Sequence, residues 1–177
     1  KNAHESITTY YSKHKTENID IYFSIFTYIP SYKIHKKDSY SNTDIELSNS
    51  LLNLKKNLDL FQIQKWAKNL ASIIQHYTVV CCVPSSKPKR EAGVIGKIVE
   101  QLCKYNESIN YEKNLLSRNK EIEKRSNMGS DRSIDIHLNT IDITNQSIKH
   151  DKILLIDDIN TTGNSLLACK RKLKEIG

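Results

Sequence analysis

The chain has 177 residues and a mass of 20.4 kDa, enough for one ordinary core and short for two. Hydrophobic residues at 38%, charged residues at 27% and nine Tyr exclude the disordered class. Lys and Arg outnumber Asp and Glu by 27 to 20, and the resulting +7 favours anionic partners such as phosphates, nucleic acid or acidic proteins without choosing among them. Cys81, Cys82, Cys103 and Cys169 form no CxxC pair, which excludes a zinc ribbon and a thioredoxin-type site and fits reduced cytoplasmic thiols. No run approaches the ~20 apolar residues of a membrane span, and KNAHESITTYYSKHK lacks the apolar centre of a signal peptide. The expected setting is cytoplasmic, with no membrane association. Lys at position 1, where a translation product has Met, is expected of a trimmed sequence.

Residues 1–20 are polar and carry no period. Ile21 to Ile34 is rich in aromatic and β-branched residues and contains Pro30, the pattern of an edge strand or hairpin. From Ile45 to Tyr77 the apolar positions Leu51, Leu52, Leu54, Leu58, Phe61, Ile63, Trp66, Leu70, Ile73 and Ile74 adopt helical spacing, which predicts two helices broken near Asp59. Residues 1–44 are therefore expected to form an N-terminal extension and residues 45–177 the principal domain.

TVVCCV, Thr78 to Val83, predicts a strand buried on both faces of a parallel sheet. The loop PSSKPKR follows, and then a helix with Val94, Ile98, Leu102 and Tyr105 on one stripe. Asn114 to Ser117, with only Leu115 and Leu116 apolar, is expected to be the next strand. Arg118 to Asp131 is strongly charged and expected to be mobile. KILLIDD, Lys152 to Asp158, predicts the clearest buried strand of the chain; INTTGNS and the helical run SLLACKRKLKEIG follow it. Strands alternating with helices predict an α/β fold, a parallel β-sheet flanked by helices.

The end of that strand carries the chemistry. Two adjacent carboxylates, a turn of hydroxyl residues and glycine, and a helix start together suit a sugar phosphate. The helix N-terminus offers unpaired N–H groups and the positive end of its dipole to a phosphate dianion. Gly163 permits close backbone approach, and Thr161, Thr162 and Ser165 add hydroxyl donors. Asp157 and Asp158, at the carboxyl end of the strand, can accept hydrogen bonds from vicinal ribose hydroxyls. A receiver domain also has such a strand, but needs roughly 100 further residues after it, and only 19 follow Asp158. A Walker loop requires Lys where Asn164 stands. The plain alternative is a buried strand followed by a capped helix.

ILLIDDINTTGNSL resembles the phosphoribosyl pyrophosphate (PRPP) signature of type I phosphoribosyltransferases. The similarity extends from about Leu51 to Gly177 and is greatest to the ComF-like branch, through the LLNLKK segment, the strand ending in VP, the basic loop and the Arg-containing segment before the signature. The cysteine zinc ribbon that often precedes ComF-like domains is missing. The resemblance implies PRPP as ligand, held by Asp157, Asp158, Asn160, Thr161, Thr162, Gly163, Asn164 and Ser165, with Asp157 and Asp158 on the ribose hydroxyls. It implies a pyrophosphate loop at Ser85, Ser86 and Lys87, helped by Lys89 and Arg90, and a flexible closing loop over Arg118 to Arg132. In that loop Arg118, Lys124, Arg125 and Arg132 are the candidate cations, and Arg118 joins Asp157 and Asp158 in the catalytic set.

The implied reaction is transfer of the 5-phosphoribosyl group to a nitrogen nucleophile with release of pyrophosphate, with Mg²⁺ bound mainly through PRPP and no dedicated protein metal ligands. Thr161 stands where the purine-salvage branch has an acid, which disfavours purine salvage. Family members normally continue past the signature helix with a further strand and helix, so a C-terminally truncated or degenerate domain is expected. The competing expectation is a non-catalytic PRPP- or nucleotide-binding module whose basic surface meets nucleic acid or a protein in a competence or phage-defence complex; an oligomer is compatible with both. Cys81, Cys82 and Trp66 are expected in the core, and His76, His137 and His150 lack metal-ligand spacing. Lys170, Arg171, Lys172 and Lys174 are expected to complement the dipole of the last helix, the simpler account, with contact to nucleic acid as the alternative.

Overall fold

The computed structural model describes residues 40–74, 79–88, 93–122, 133–144, 153–159 and 162–176. The chain divides into two compact units, Lys1–Lys56 and Asn57–Gly177. The expected strand or hairpin at 21–34 lies outside the described residues.

Helix α1 (Asn42–Asn57) lies in the first unit except for its last residue, Asn57. Ser41 starts it. Its Oγ accepts from the Asp44 amide at 3.0 Å and donates to Asp44 Oδ2 at 2.7 Å, so hydroxyl and carboxylate together satisfy and charge the helix start. Leu58, at φ 49°, lies in the left-handed region that stops a helix, and Asp59 then caps the next one by accepting from Phe61 N at 2.9 Å. The expected break near Asp59 therefore comes from two adjacent devices, a left-handed residue and an N-cap.

Helix α2 (Leu60–Ile73) buries Ile63, Trp66, Ala67 and Leu70, one face at i, i+3, i+4, i+7, and packs along α3 (Gly93–Tyr105). Val94, Ile98 and Leu102 are buried as expected, whereas Tyr105, the last helical residue, is 49% exposed, because the buried stripe ends one turn earlier at Leu102.

Strand β1 (Val79–Cys82) is buried throughout and is the middle strand of a parallel sheet ordered β2-β1-β5, with β2 at Asn110–Tyr111 and β5 at Ile153–Ile156. Alternation sends Cys81 towards Cys169 of the last helix and Cys82 towards Cys103 and Glu100 of α3, so helices cover both faces. This is an α/β unit with a three-stranded parallel sheet; five helices occur among the described residues.

Two expectations are corrected. β5 is only half-buried, Leu154 excepted, because among the described residues it has a sheet neighbour on one side alone. The strand expected over Asn114 to Ser117 runs instead from Leu116 to Arg118, and this β3 (Leu116–Arg118) pairs antiparallel with β4 (Ile141–Ile143), which follows α4 (Ile134–Thr140), in a separate two-stranded sheet. The parallel neighbour of β1 is the polar pair Asn110–Tyr111, too short to show a period.

Helix α5 (Asn164–Leu173) closes the unit. Cys81, Val83, Leu115, Leu116, Ile141, Ala168 and Cys169 form a core joining β1, β3, β4 and α5, against which Ile153 and Leu155 pack. Among the described residues no helix is long and apolar enough to cross a membrane.

Candidate functional site

The parallel register sets the site. Val79 to Cys82 pair with Ile153 to Ile156 in order, and the ladder extends by one bond, Val83 N–H to the Ile156 carbonyl at 2.9 Å. Continuing the register sets Val83 opposite Asp157, roughly 5 Å apart by sheet geometry, and the loop from Pro84 starts one residue further on. The loop after β1 and the turn after β5 therefore leave the same edge of the sheet, the edge where open α/β sheets hold ligands.

In the turn, Asp157 and Asp158 are both half-buried. Asp157 Oδ1 accepts from its neighbour's amide, Asp158 N, at 2.8 Å, and its Oδ2 lies 3.4 Å from the Ser165 hydroxyl. One carboxylate thus links the strand end to the first turn of α5. Gly163, at φ 79° and ψ −6°, occupies the N-cap position of α5 in the left-handed region, and its carbonyl accepts from Leu167 N at 2.8 Å. A glycine is favoured there, because that conformation costs most L-residues about 1–2 kcal/mol. Gly163 itself has no side chain with which to cap the helix, and the amides of the first turn lie at the helix start beyond it. Asn160 and Thr161 lie outside the described residues; Thr162 is exposed.

In the other loop, Ser85 Oγ donates to the Lys87 carbonyl at 3.0 Å and faces the Lys87 amide at 3.4 Å. Lys87 Nζ stands 3.7 Å from Glu121, an exposed pair worth little because solvent screens it. Lys89 and Arg90 lie outside the described residues.

Arg118 requires correction. The charged run from Arg118 was expected to be mobile, yet Arg118 ends β3 and is 3% exposed. In a strand, Arg118 shares a face with Leu116, and that face is the core. Its Nε donates to the Ser85 carbonyl at 2.7 Å, Nη1 donates to Thr140 Oγ1, and Nη2 lies 3.5 Å from His137 Nδ1. Lys124, Arg125 and Arg132 lie outside the described residues. His137, given no role from the sequence, is buried beside Arg118, and neither His137 nor Thr140 carries a sequence signal that would have found it.

The thiols frame the site without serving it as nucleophiles. Burial pushes Cys82 up to about 12, with Asp157 among the nearby negative charges. Burial likewise pushes Cys169 up to about 12, where Asp157 raises and Arg118 lowers it. Tyr111 donates to Cys82 Sγ at 3.5 Å, and burial raises its phenol too. Such groups stay protonated near neutrality. Among the described residues no cluster of three or more His, Cys, Asp or Glu could hold a metal.

The class these features define is an α/β unit with two polar loops, one basic and one acidic, converging at the carboxyl edge of a parallel sheet. No family model, no curated protein and no solved structure matches the chain.

Proposed function

We propose that the second unit is a phosphoribosyltransferase-type domain that binds PRPP, or a related phosphorylated ribose, and passes the 5-phosphoribosyl group to a nitrogen nucleophile with release of pyrophosphate. The observation that carries this reading is the β1–β5 register, by which the Ser85–Lys87 loop and the turn that begins at Asp157 leave the same edge of the sheet. Two loops suited to two phosphate groups, with carboxylates suited to ribose hydroxyls at the same edge, match a ligand bearing a phosphate and a pyrophosphate on one ribose.

In this reading the α5 amides and the Thr162 and Ser165 hydroxyls take the 5-phosphate, and Asp158 takes the ribose hydroxyls. Asp157 shares that contact while tying the turn to the helix. The Ser85–Lys87 loop takes the departing pyrophosphate. The chain's own contribution is then positioning and charge placement around C1 of the ribose. The paired carboxylates are hard oxygen donors of the kind Mg²⁺ accepts, and the ion, brought largely on PRPP oxygens, would neutralise charge on the leaving group. Calorimetric titration with PRPP and Mg²⁺ tests the proposal: micromolar to millimolar binding with pyrophosphate release is expected, and no heat at millimolar ligand removes it.

One observation favours a second reading. Arg118, the cation expected to close over the ligand, is committed to buried contacts. A non-catalytic PRPP- or nucleotide-sensing module, with the basic surface meeting nucleic acid or an acidic protein, would need no closing cation. PRPP binding without turnover, joined to salt-steep retention on heparin, selects it.

A further inference from the structure

We propose that Arg118 is the positioning residue of the Ser85–Lys87 loop: it fixes the loop's peptide planes so that amides, not carbonyls, are offered to pyrophosphate. The inference rests on the phosphoribosyl reading above, which alone makes this loop an anion site.

A guanidinium in a core is costly unless its donors are used, and an aliphatic residue would fill the third position of β3 at less expense. What an aliphatic residue lacks is a donor that reaches the loop. Arg118 supplies it: Nε holds the Ser85 carbonyl at 2.7 Å, while the other end of the fork is steadied by Thr140 Oγ1, which itself donates to the Ile136 carbonyl at 2.6 Å in α4. The loop is thus braced against a hydroxyl fixed by a helix.

A second anchor comes from the same segment. Ile122, buried at 7% exposure, donates its amide to the Ser86 carbonyl at 3.0 Å. Two consecutive carbonyls, of Ser85 and Ser86, therefore turn towards residues 118–122. In a planar trans peptide the carbonyl and the following N–H point to opposite sides. The amides of Ser86 and Lys87 consequently point away from the anchoring segment, that of Lys87 resting on Ser85 Oγ in a long 3.4 Å contact that an anion would have to take over, and a peptide flip that would present a carbonyl dipole to an anion has to break one of the two bonds. Lys cannot replace Arg here, because a single ammonium does not bridge the Ser85 carbonyl and Thr140 with fixed geometry.

The experiment is an amide NMR titration of the full chain with Mg²⁺-pyrophosphate and, separately, ribose 5-phosphate, on wild type, Arg118→Met and Arg118→Lys. In wild type, pyrophosphate is expected to move the Ser86 and Lys87 resonances. Both variants should lose pyrophosphate affinity by about tenfold or more, with ribose 5-phosphate affinity held within about twofold. Millimolar guanidinium ion should partly restore pyrophosphate affinity to Arg118→Ala. Unchanged pyrophosphate affinity in Arg118→Met overturns the inference, as does a parallel loss for both ligands, which would mark Arg118 as merely structural. If the variants do not fold, the wild-type spectra decide alone: ribose 5-phosphate binding with Ser86 and Lys87 unmoved by pyrophosphate removes this inference and leaves the phosphoribosyl reading standing. Binding of neither ligand removes both.

Discussion

The amide of Val83 donates to the carbonyl of Ile156 at 2.9 Å, which carries the β1–β5 ladder to the last residue before Pro84 and the last before Asp157. That bond ties two segments more than 70 residues apart in sequence to one edge of one sheet, and the functional proposal depends on it. Chemistry assigned to either loop alone would be weak, since each has an ordinary explanation as a capped turn.

Asp158→Asn is expected to lower PRPP affinity roughly tenfold to a hundredfold, the effect of losing charged hydrogen bonds worth about 1.5–3 kcal/mol. The side chain is half-buried at the sheet edge, so the melting temperature should move little. Calorimetry and a thermal melt on the same sample check both parts. An unchanged dissociation constant takes Asp158 out of the site, and a large loss of stability assigns it to the turn instead.

Much of this edge was legible in the sequence. TVVCCV announced a strand covered on both faces, KILLIDD announced a strand but not its half-exposure, and Ile45 through Tyr77 announced two helices with a break near Asp59, because each has a period or a run long enough to read. β2 was not legible: Asn110 and Tyr111 are polar neighbours whose strand character comes only from pairing with Val79 and Val80. Arg118 was misread for a related reason. A charged run suggests solvent, but Leu116, Ser117 and Arg118 alternate about a strand axis, and the alternation places the guanidinium with Leu116 in the core. The antiparallel partner that creates this strand comes from residues 141–143, a distance over which composition says nothing.

Leu58 provides a test of the helix break that is independent of any ligand. Its φ of 49° costs a residue with a Cβ about 1–2 kcal/mol, and at 46% exposure its side chain contributes little burial in return. Leu58→Gly removes that strain and loses about 0.4–1 kcal/mol to the greater freedom of the unfolded chain. The expected net is a stabilisation of up to about 1 kcal/mol, read as a higher urea midpoint at unchanged slope. A destabilised variant would show that the Leu58 side chain has a packing role.

Alkaline pH should expose the buried thiols. An unfolded thiol loses its proton near pH 8.5, whereas Cys82 and Cys169 are held up at about 12. Between those values the native state binds more protons than the unfolded state, so the slope of unfolding free energy against pH is negative. The contribution is complete below the unfolded value and falls away as pH climbs towards 12, by about 1.4 kcal/mol per pH unit for each thiol. Other groups titrate in this range, so the comparison is with Cys169→Ala: its urea midpoint should fall less steeply than wild type between about pH 9 and 11. Parallel curves would mean that Cys169 is more accessible than its burial indicates.

The turn between β5 and α5 offers a graded test. Gly163→Val forces a β-branched residue into φ 79°, where its side chain collides with the local backbone, so the turn must reshape and the amides at the start of α5 lose their common direction. Affinity for ribose 5-phosphate should disappear, with a lower melting temperature. Gly163→Asn should keep most of both, because Asn tolerates the left-handed region and is itself a common residue at helix starts. Thr162→Val leaves the backbone unchanged and removes one neutral donor, about 0.5–1.5 kcal/mol, or a few-fold in affinity. The predicted order of affinity is wild type, then Gly163→Asn and Thr162→Val together, then Gly163→Val well below. Amide NMR titration reads the order directly, with the Ser165 and Leu166 resonances as reporters. Equal affinities for wild type and Gly163→Val would mean that phosphate does not use this cradle, and a binding site elsewhere in the chain would then have to be sought.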